Sequence, residues 1–591
     1  MNLKHFSLIV LVLVLASCAN RGIGPQGGPK DSIPPVPLKY EPEMGALEFK
    51  GKRIEVTFDE YIQLDNVMQN LLMSPPQQNP PDVKARGKKL IVQFQDTLRD
   101  STTYTIDFGR AVCDFREKVP LHGFHYYFST GSEIDTLEYC GRVYDAENLT
   151  PRSGVFVGIH SNLSDSAFIT EPFLRIARTD SMGFFRIGNI HPGTYRLYAV
   201  DDISRDYRFT LGESIAFADE PIVVTPPDTT AVDTNNLSPI TNNLSSLFLF
   251  KEQQQKLYMQ RTVREEQHKI RLSFSAPPDS LPQLRFIKDS LPIELNYHTQ
   301  YSRRNDTITL WLLDSAAISI DSLFIEARYR RTDSLYQLEW AIDTLRAIWR
   351  APKLTAKAQA AQERKNRNRR LELRSNARSG FEMYDTLRLM CATPLATIER
   401  DSIHLFERTD TDLKPIKFTI ADHDTLPMEL LILADLKPDM KYELHVDSGA
   451  LHDVYGVTHI DGSYSLQLKK PSDYSTLRVK LTPFVEHARI QVLDKQDKVV
   501  RELPAVPEGA FFEYLKPEIY YLRFYIDANE DGQWTTGSWD AKRQPEAVYY
   551  FPGKIQTKSN WDFEEEWDYT ATEQTKAKPA ELIIVSKNAK K

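Results

Sequence analysis

The sequence predicts an all-β protein built as a string of small β-sandwich domains, and three observations carry that expectation. Short runs that alternate apolar and polar residues recur, such as Arg53-Ile54-Glu55-Val56-Thr57-Phe58, Lys89-Leu90-Ile91-Val92-Gln93-Phe94 and Tyr104-Thr105-Ile106-Asp107-Phe108. Clusters of Pro, Gly and Asp separate them, and a period of two is what buries one face of an antiparallel strand and wets the other. The 591 residues are too many for one hydrophobic core, and at roughly 100 to 200 residues per domain they make about four to six. The third observation is that the chain repeats itself.

Pro192 through Gly212 aligns without a gap on Pro517 through Gly537, matching Tyr195 with Tyr520, Leu197 with Leu522, Asp202 with Asp527, Asp206 with Asp531 and Phe209 with Trp534. A weaker match sets Leu98–Thr130 against Leu436–Lys469 and pairs Tyr104 with Tyr442 and Asp114 with Asp453. A two-domain unit is thus present twice.

The N-terminus comes first in order. Lys4 and His5 precede an apolar run from Phe6 to Ala16, then Leu15-Ala16-Ser17-Cys18. A run this short is a signal-peptide core, too short to span a bilayer, and the residues around Cys18 resemble the lipobox of bacterial lipoproteins. Residues 1–17 are therefore expected to be removed and Cys18 to carry lipid, the anchor to the membrane. Residues 18–40, with Gly24-Pro25-Gln26-Gly27-Gly28-Pro29 and Pro34-Pro35-Val36-Pro37, read as an extended tether.

Domains are expected at 41–131 and 139–224, then a linker at 225–263, a β-sandwich at 264–350, a basic linker at 351–379, and the repeat copies at 380–470 and 473–570, with a tail at 571–591. The basic linker is rich in Ala, Gln and cations such as Arg364, Lys365, Arg367, Arg369 and Arg370. It favours helix by propensity but has no apolar face, so it reads as a short helical or disordered connector. A contact with lipid headgroups is the sharper alternative.

These motifs resemble a family of Bacteroidota lipoproteins with bacterial Ig-like domains of the S-layer type. The residues that carry the resemblance are Cys18-Ala19-Asn20, Pro25-Gln26-Gly27-Gly28-Pro29-Lys30-Asp31, Val56-Thr57-Phe58-Asp59-Glu60-Tyr61, Thr102 through Gly109, and Asn560-Trp561-Asp562. On this resemblance 41–131 and 380–470 are Ig-like. The segments 139–224 and 473–570 look like the prealbumin-like or carboxypeptidase-regulatory-like sandwich, marked by Asp180-Ser181-Met182-Gly183-Phe184-Phe185 and Pro192-Gly193-Thr194-Tyr195. The resemblance implies an outer-membrane lipoprotein without an assigned activity. Surface-exported lipoproteins of that phylum carry acidic residues after the lipidated cysteine, whereas Ala19-Asn20-Arg21-Gly22 follows here, which implies a periplasm-facing protein.

Composition and motifs exclude several classes. A net charge of -8 argues against nucleic acid as a partner. The chain has no His-Glu-x-x-His, Gly-x-Ser-x-Gly or Cys-x-x-Cys, so the common hydrolase and zinc signatures are missing. No catalytic residue is assigned. Asp59-Glu60 and Glu564-Glu565-Glu566 are adjacent carboxylates, which on strands point to opposite faces. Cys113, Cys140 and Cys391 stand at no ligand spacing and read as buried apolar side chains, with a Cys113 to Cys140 disulfide as the alternative.

One loop suggests a cofactor. Asp527, Asn529 and Asp531, followed by Gly532, place oxygen side chains at alternate positions as at the opening of a calcium loop, although the twelfth position is Ser538 and not Glu. A polar turn closing two strands is the competing reading. The leading expectation for function is a non-enzymatic scaffold that binds envelope proteins. A carbohydrate- or peptide-binding module is the alternative, drawn from Trp534, Trp539, Trp561 and Trp567 near the C-terminus.

The tripeptide Asp, then Ser or Thr, then an aliphatic residue or Thr recurs, as at Asp96-Thr97-Leu98, Asp135-Thr136-Leu137, Asp289-Ser290-Leu291, Asp321-Ser322-Leu323, Asp343-Thr344-Leu345 and Asp385-Thr386-Leu387. It resembles an O-glycosylation acceptor of exported Bacteroidota proteins, which implies glycans at sites such as Thr97, Thr136 and Ser322. A turn that feeds a strand also yields the pattern. Cys18→Ser is expected to abolish fatty-acid labelling and block precursor cleavage. Peptide mass spectrometry of the native protein is expected to find Thr97, Thr136 and Ser322 above their unmodified masses. Retained lipid label would refute the anchor, and unmodified peptides the glycans.

Overall fold

The computed structural model describes residues 31–226, 245–252, 256–288, 291–302, 304–333, 337–350, 355, 369–409, 412–422 and 427–583. Cys18 with residues 1–30, the linker core 227–244, Asp289 and Ser290, most of the basic run, and the tail from 584 lie outside the described residues. The chain is nearly all-β, as tandem β-sandwiches, and divides into two compact units, residues to about Phe250 and from Lys251 to Ile584.

The first unit opens with β1 (Pro37–Glu41), β2 (Arg53–Phe58), β3 (Ile62–Leu64), β4 (Leu72–Ser74), β5 (Asp82–Arg86), β6 (Lys89–Gln93), β7 (Thr103–Asp107), β8 (Val112–Asp114) and β9 (His125–Ser129). One sheet runs β1-β2-β6-β5, the facing one β4-β7-β9, and β3 pairs β8. The alternation does its work here: Ile54, Val56 and Phe58 of β2 point inward with Leu90 and Val92 of β6, while Arg53 faces water.

The second sandwich has β10 (Leu137–Asp145), β11 (Phe156–His160), β12 (Arg175–Arg178), β13 (Phe184–Ile190), β14 (Gly193–Val200), β15 (Ser214–Phe217), β16 (Ile222–Val224) and β17 (Ser245–Lys251). β17 corrects the sequence reading, which gave residues 225–263 to a linker. It lies parallel to β10 and places Leu247 and Leu249 in the core.

These two sandwiches are joined by polar contacts. Arg175, only 5% exposed, donates to the Thr103 carbonyl and pairs with Asp135 at 3.3 Å. The Ile176 amide donates to Ser74 Oγ at 3.1 Å, and Thr105 Oγ1 donates to Asn189 Oδ1 at 2.7 Å.

The second unit begins with β18 (Met259–Glu266), β19 (Lys269–Phe274), β20 (Gln283–Lys288), β21 (Leu291–Ile293), β22 (Tyr297–Tyr301), β23 (Thr307–Leu312), β24 (Ser322–Thr332) and β25 (Leu338–Ile348). Its sheets run β18-β19-β23-β22 and β21-β20-β24-β25. The first order is that of β1-β2-β6-β5, so this sandwich repeats the strand order of the first. Its opening strand also starts inside the expected linker.

The fourth sandwich comprises β26 (Leu373–Ser375), β27 (Ser379–Phe381), β28 (Leu387–Cys391), β29 (Leu395–Ile398), β30 (Ile403–Arg408), β31 (Leu413–Pro415), β32 (Phe418–Ala421), β33 (Glu429–Ala434), β34 (Lys441–Val446), β35 (Leu451–Asp453) and β36 (Gly462–Leu468). Orders β26-β28-β33-β32 and β30-β34-β36, with β29 against β35, reproduce the first sandwich pair for pair. β26 and the buried Leu371 belong to this core, so the end of the basic segment is sandwich and not linker.

The last sandwich is β37 (Ser475–Thr482), β38 (Ala488–Leu493), β39 (Val499–Pro504), β40 (Ala510–Leu515), β41 (Ile519–Ile526), β42 (Val548–Tyr550), β43 (Ile555–Gln556) and β44 (Asp562–Asp568). β37 pairs β40 and, in parallel, β44, as β10 pairs β13 and β17. The tail is ordered to residue 583: Ala577 and Leu582 are buried, and Lys578 pairs with Asp497 at 2.7 Å.

One buried ring sets an acid limit on the second sandwich. His160 is 2% exposed, packed against Phe173 and Tyr198 at ring distances of 5.1 and 5.9 Å, with no partner at Nε2. Burial pushes its pKa down to about 4. The folded ring stays neutral while the unfolded one takes a proton near its ordinary value. Stability is therefore complete above about pH 6.5 and falls by about 3 kcal/mol as pH drops towards 4. Denaturant titration of His160→Phe across that window is expected to show the loss largely removed; an unchanged slope would clear His160.

Candidate functional site

The repeat-matched residues converge on the loops that follow β8, β14, β35 and β41, each of which begins at a buried aspartate. Asp114, Asp202, Asp453 and Asp527 are 3, 7, 3 and 5% exposed. A carboxylate at such depth must be hydrogen-bonded, and in each case the donors are the amides of the loop ahead.

The calcium candidate is one of these loops. Asp527 accepts the Asp531 amide on Oδ1 at 3.1 Å and the Gly532 amide on Oδ2 at 2.9 Å. Asn529 Oδ1 accepts the Asp531 amide, while its Nδ2 donates to Asp531 Oδ2 at 3.0 Å and Thr535 Oγ1 at 2.9 Å. Asp531 Oδ1 accepts the Gln533 amide at 2.7 Å. The carboxylate oxygens are thus engaged by the loop itself.

Its repeat partner makes the same turn. Asp202 accepts the Arg205 amide on Oδ1 at 2.5 Å and the Tyr207 amide on Oδ2 at 2.8 Å. Arg205 and Tyr207 have φ of 60° and 60°, as Glu530 and Gly532 have 59° and 76°. The same left-handed turn forms where Asn and Gly are missing, at a cost of roughly 1–2 kcal/mol for each non-glycine residue. In both copies the aspartate caps the turn through its amides. Among the described residues no group of three or more His, Cys, Asp or Glu side chains is placed to hold a metal ion.

A second carboxylate staples each loop from its far end. Glu213 accepts the amides of Ile203 at 3.0 Å and Thr210 at 3.1 Å. Glu546 accepts those of Ala528 at 2.9 Å and Thr535 at 2.8 Å. Burial pushes both carboxyls up, and the neighbouring aspartate adds to it. Sequence reasoning missed this pair because Glu213 follows Asp202 by 11 residues and Glu546 follows Asp527 by 19.

The Ig-like loops use the same device. Asp114 Oδ1 accepts the Arg116 and Glu117 amides at 2.7 and 2.8 Å, and Oδ2 that of Val119 at 2.6 Å. Asp453 Oδ1 accepts the Tyr455 and Val457 amides at 2.9 and 2.7 Å, and Oδ2 the Thr393 hydroxyl at 2.8 Å. Burial alone would raise Asp114, but the three amides outweigh it and hold its pKa below the ordinary value. Tyr104 and Tyr442, both buried, each accept the amide five residues upstream, from Arg99 at 2.8 Å and Lys437 at 2.7 Å. That is the tyrosine corner of Ig-type sandwiches.

A family model described as a bacterial Ig-like domain matches residues 31–130. Among solved structures, the N-terminal part of the bacterial S-layer protein SbsC is 13% identical and superposes at a TM-score of 0.17, over 29% of this chain and 44% of that one. Native alpha-2-macroglobulin from Escherichia coli spanning domains MG0-NIE-MG1 is 11% identical at a TM-score of 0.18, over 50% of this chain and 96% of that one. The N-terminal four Ig domains of Dscam1 are 8% identical at 0.16, over 73% and 98%. Scores this low carry no argument about function. No curated protein matches.

The remaining candidates disperse. Trp539 and Trp567 are buried, and Trp534 donates its indole N–H to the Glu546 carbonyl at 3.0 Å, while Trp561, 56% exposed, stacks beside Phe563 at 6.2 Å. Glu564 and Glu566 face water while Glu565 is half-buried, and Lys480 pairs with Glu566 at 3.5 Å. Cys113, Cys140 and Cys391 are buried free thiols. Thr97 and Thr136 are exposed, whereas Ser322 is half-buried and accepts Arg346 Nε at 3.2 Å. Leu137, Ser322 and Leu387 stand at strand starts, but Asp343-Thr344-Leu345 lies inside β25, where Asp343 accepts the Tyr329 hydroxyl at 2.7 Å.

Asp527→Ala leaves two loop amides without acceptors and is expected to destabilise the last sandwich by about 2 kcal/mol. Melting of the full chain is expected to be insensitive to chelator and to millimolar calcium. A calcium-dependent rise in Tm that Asp527→Ala abolishes would restore the metal reading.

Proposed function

We propose that this chain is a non-enzymatic scaffold of the cell envelope, anchored in the outer membrane by lipid on Cys18 and facing the periplasm. The observation that carries the reading is the use made of its buried carboxylates: Asp114, Asp202, Asp453 and Asp527 each accept loop amides. Side chains so engaged hold the shape of the loop. The Ig-like match at 31–130 supports a structural or interaction module.

Rigid joints inside each unit support the same reading. In the second unit Glu382, 5% exposed, accepts the Tyr474 hydroxyl at 2.7 Å, Lys469 at 2.9 Å and Lys516 at 3.1 Å. Burial pushes this carboxyl up, but those donors outweigh it and hold it down to about 2. It ties the fourth sandwich to the fifth, as Arg175 ties the first to the second. A scaffold presents partners at a fixed spacing, and such joints supply the fixity.

A carbohydrate-binding module is the second reading, favoured by the exposed indole of Trp561 with Lys558 above it at 5.0 Å. Crosslinking in intact outer membranes, followed by purification of the lipidated chain, is expected to recover envelope proteins in fixed stoichiometry. Recovery of the chain alone would overturn the scaffold, and retention of soluble envelope glycans lost in Trp561→Ala would establish the second reading.

A further inference from the structure

The third sandwich ends one of its sheets on a long strand with an open side. β25 is the last strand of the order β21-β20-β24-β25 and spans 11 residues in unbroken register with β24. Hydrogen bonds at its two ends fix which way its backbone groups point. The Asp333 amide donates to the Gln337 carbonyl at 2.9 Å, and the Trp349 amide to the Asp321 carbonyl at 2.8 Å. Bonded and non-bonded residues alternate along an antiparallel pair, so the odd-numbered residues of β25 bond to β24. The N–H and C=O of Leu338, Trp340, Ile342, Thr344, Arg346 and Ile348 therefore point the other way. Among the described residues no strand pairs with that side, and β18, at the edge of the facing sheet, pairs only with β19.

A bare edge invites a further strand, and other edges of this chain are guarded against one. β1 starts at Pro37 and slips register between Pro37 and Lys39, and β18 slips twice. β21 is three residues long around Pro292, and β39 carries a register shift and ends at Pro504. β25, Leu-Glu-Trp-Ala-Ile-Asp-Thr-Leu-Arg-Ala-Ile, has no Pro, Gly or Lys and no shift. Its outward side chains are not those of a guarded edge either: Trp340 is 54% and Ile342 64% exposed, with Arg328 of β24 lying over the Trp340 ring at 4.8 Å.

The strand's own sequence says what fits it. Outward groups of two antiparallel copies meet when even-numbered residues face even-numbered ones, and β25 is its own complement in that arrangement. Centred on Thr344, the pairing sets Thr344 against Thr344 of the second copy, Ile342 against Arg346 and Trp340 against Ile348. On the inner side Ala341 meets Ala347 and Asp343 meets Leu345. Like charges never stand opposite, whereas centring on Asp343 would set two carboxylates face to face. We infer that the third sandwich pairs with a second copy of this chain along β25, joining two four-stranded sheets into one. Trp340, Ile342, Thr344, Arg346 and Ile348 of both copies then exchange about ten ladder hydrogen bonds, as many as a whole protein–protein interface usually carries. The inference goes beyond the scaffold reading and does not rest on it, since it sets how many copies stand together, whatever they bind.

The test is sedimentation equilibrium of the full mature chain at micromolar concentration, in solvent density-matched to any detergent. The mass is expected to be twice that of one chain. Ile342→Pro removes only an outward N–H, and Ile342→Lys plants a charge on the edge while keeping the backbone intact. Each is expected to halve the mass and leave the thermal unfolding curve in place; should the proline variant fail to fold, the lysine variant carries the test. A single-chain mass for the unaltered protein would overturn the inference, and so would a doubled mass that survives Ile342→Lys.

Discussion

A buried carboxylate at the end of a strand, its oxygens taken up by the amides of the loop ahead, is the constraint on which four of the five sandwiches depend. A sheet edge delivers the chain into a loop whose amides have no ladder partner, and an amide left unpaired in a buried setting costs about as much as a lost hydrogen bond. Asp114, Asp202, Asp453 and Asp527 solve this in the same way at two topologically different positions. The charge is affordable only because two or more donors meet it, which is why Asp114 titrates low despite its depth. Once the loop is fixed, the strand after it starts in register, and the alternation of apolar residues can close the core.

How much of this was legible varied with the kind of signal. Strand periodicity marked the sandwiches, and the gapless repeat picked out Asp202 and Asp527 correctly as a pair. Their role was less legible, because alternating oxygen side chains serve both a cation and a turn, and only the hydrogen bonds show the oxygens already engaged. Comparing the copies shows that the turn itself does not require glycine: Tyr207 sits where Gly532 sits, with the same sign of φ. Glu213 and Glu546 were invisible, because an insertion shifts one relative to the other while the backbone amides they receive stay equivalent.

The closing strand β17 shows what the repeat held and local reading missed. Its partner β44 stands directly before the end of the last sandwich, parallel to β37. A copy of the same fold needs the same eighth strand, and β17 supplies it from beyond a Pro-, Thr- and Asn-rich stretch that reads as linker. The middle sandwich was hidden for a different reason. It keeps the strand order but among its described residues has no counterpart of the β3–β8 pair, and a one-turn helix at Ser315–Ile318 occupies the link where the first and fourth sandwiches have their tyrosine corner. Strand order is set by packing and survives when the residues that advertise it are lost.

The joints between sandwiches follow another logic. The first and second sandwiches form one pair and the fourth and fifth another, and the loop carboxylates are kept in both copies, yet the joints share no residue type. The first is built around a buried cation, Arg175, meeting a carbonyl and Asp135; the second around a buried anion, Glu382, meeting two lysines and a tyrosine hydroxyl. Loop carboxylates serve the fold of a single sandwich, so any working copy must retain them. A joint serves only the pair it links, and any arrangement that satisfies its buried charge will hold. Opposite charges at the two joints also mean that the sandwich of one pair would bring an unmatched ion to the partner of the other.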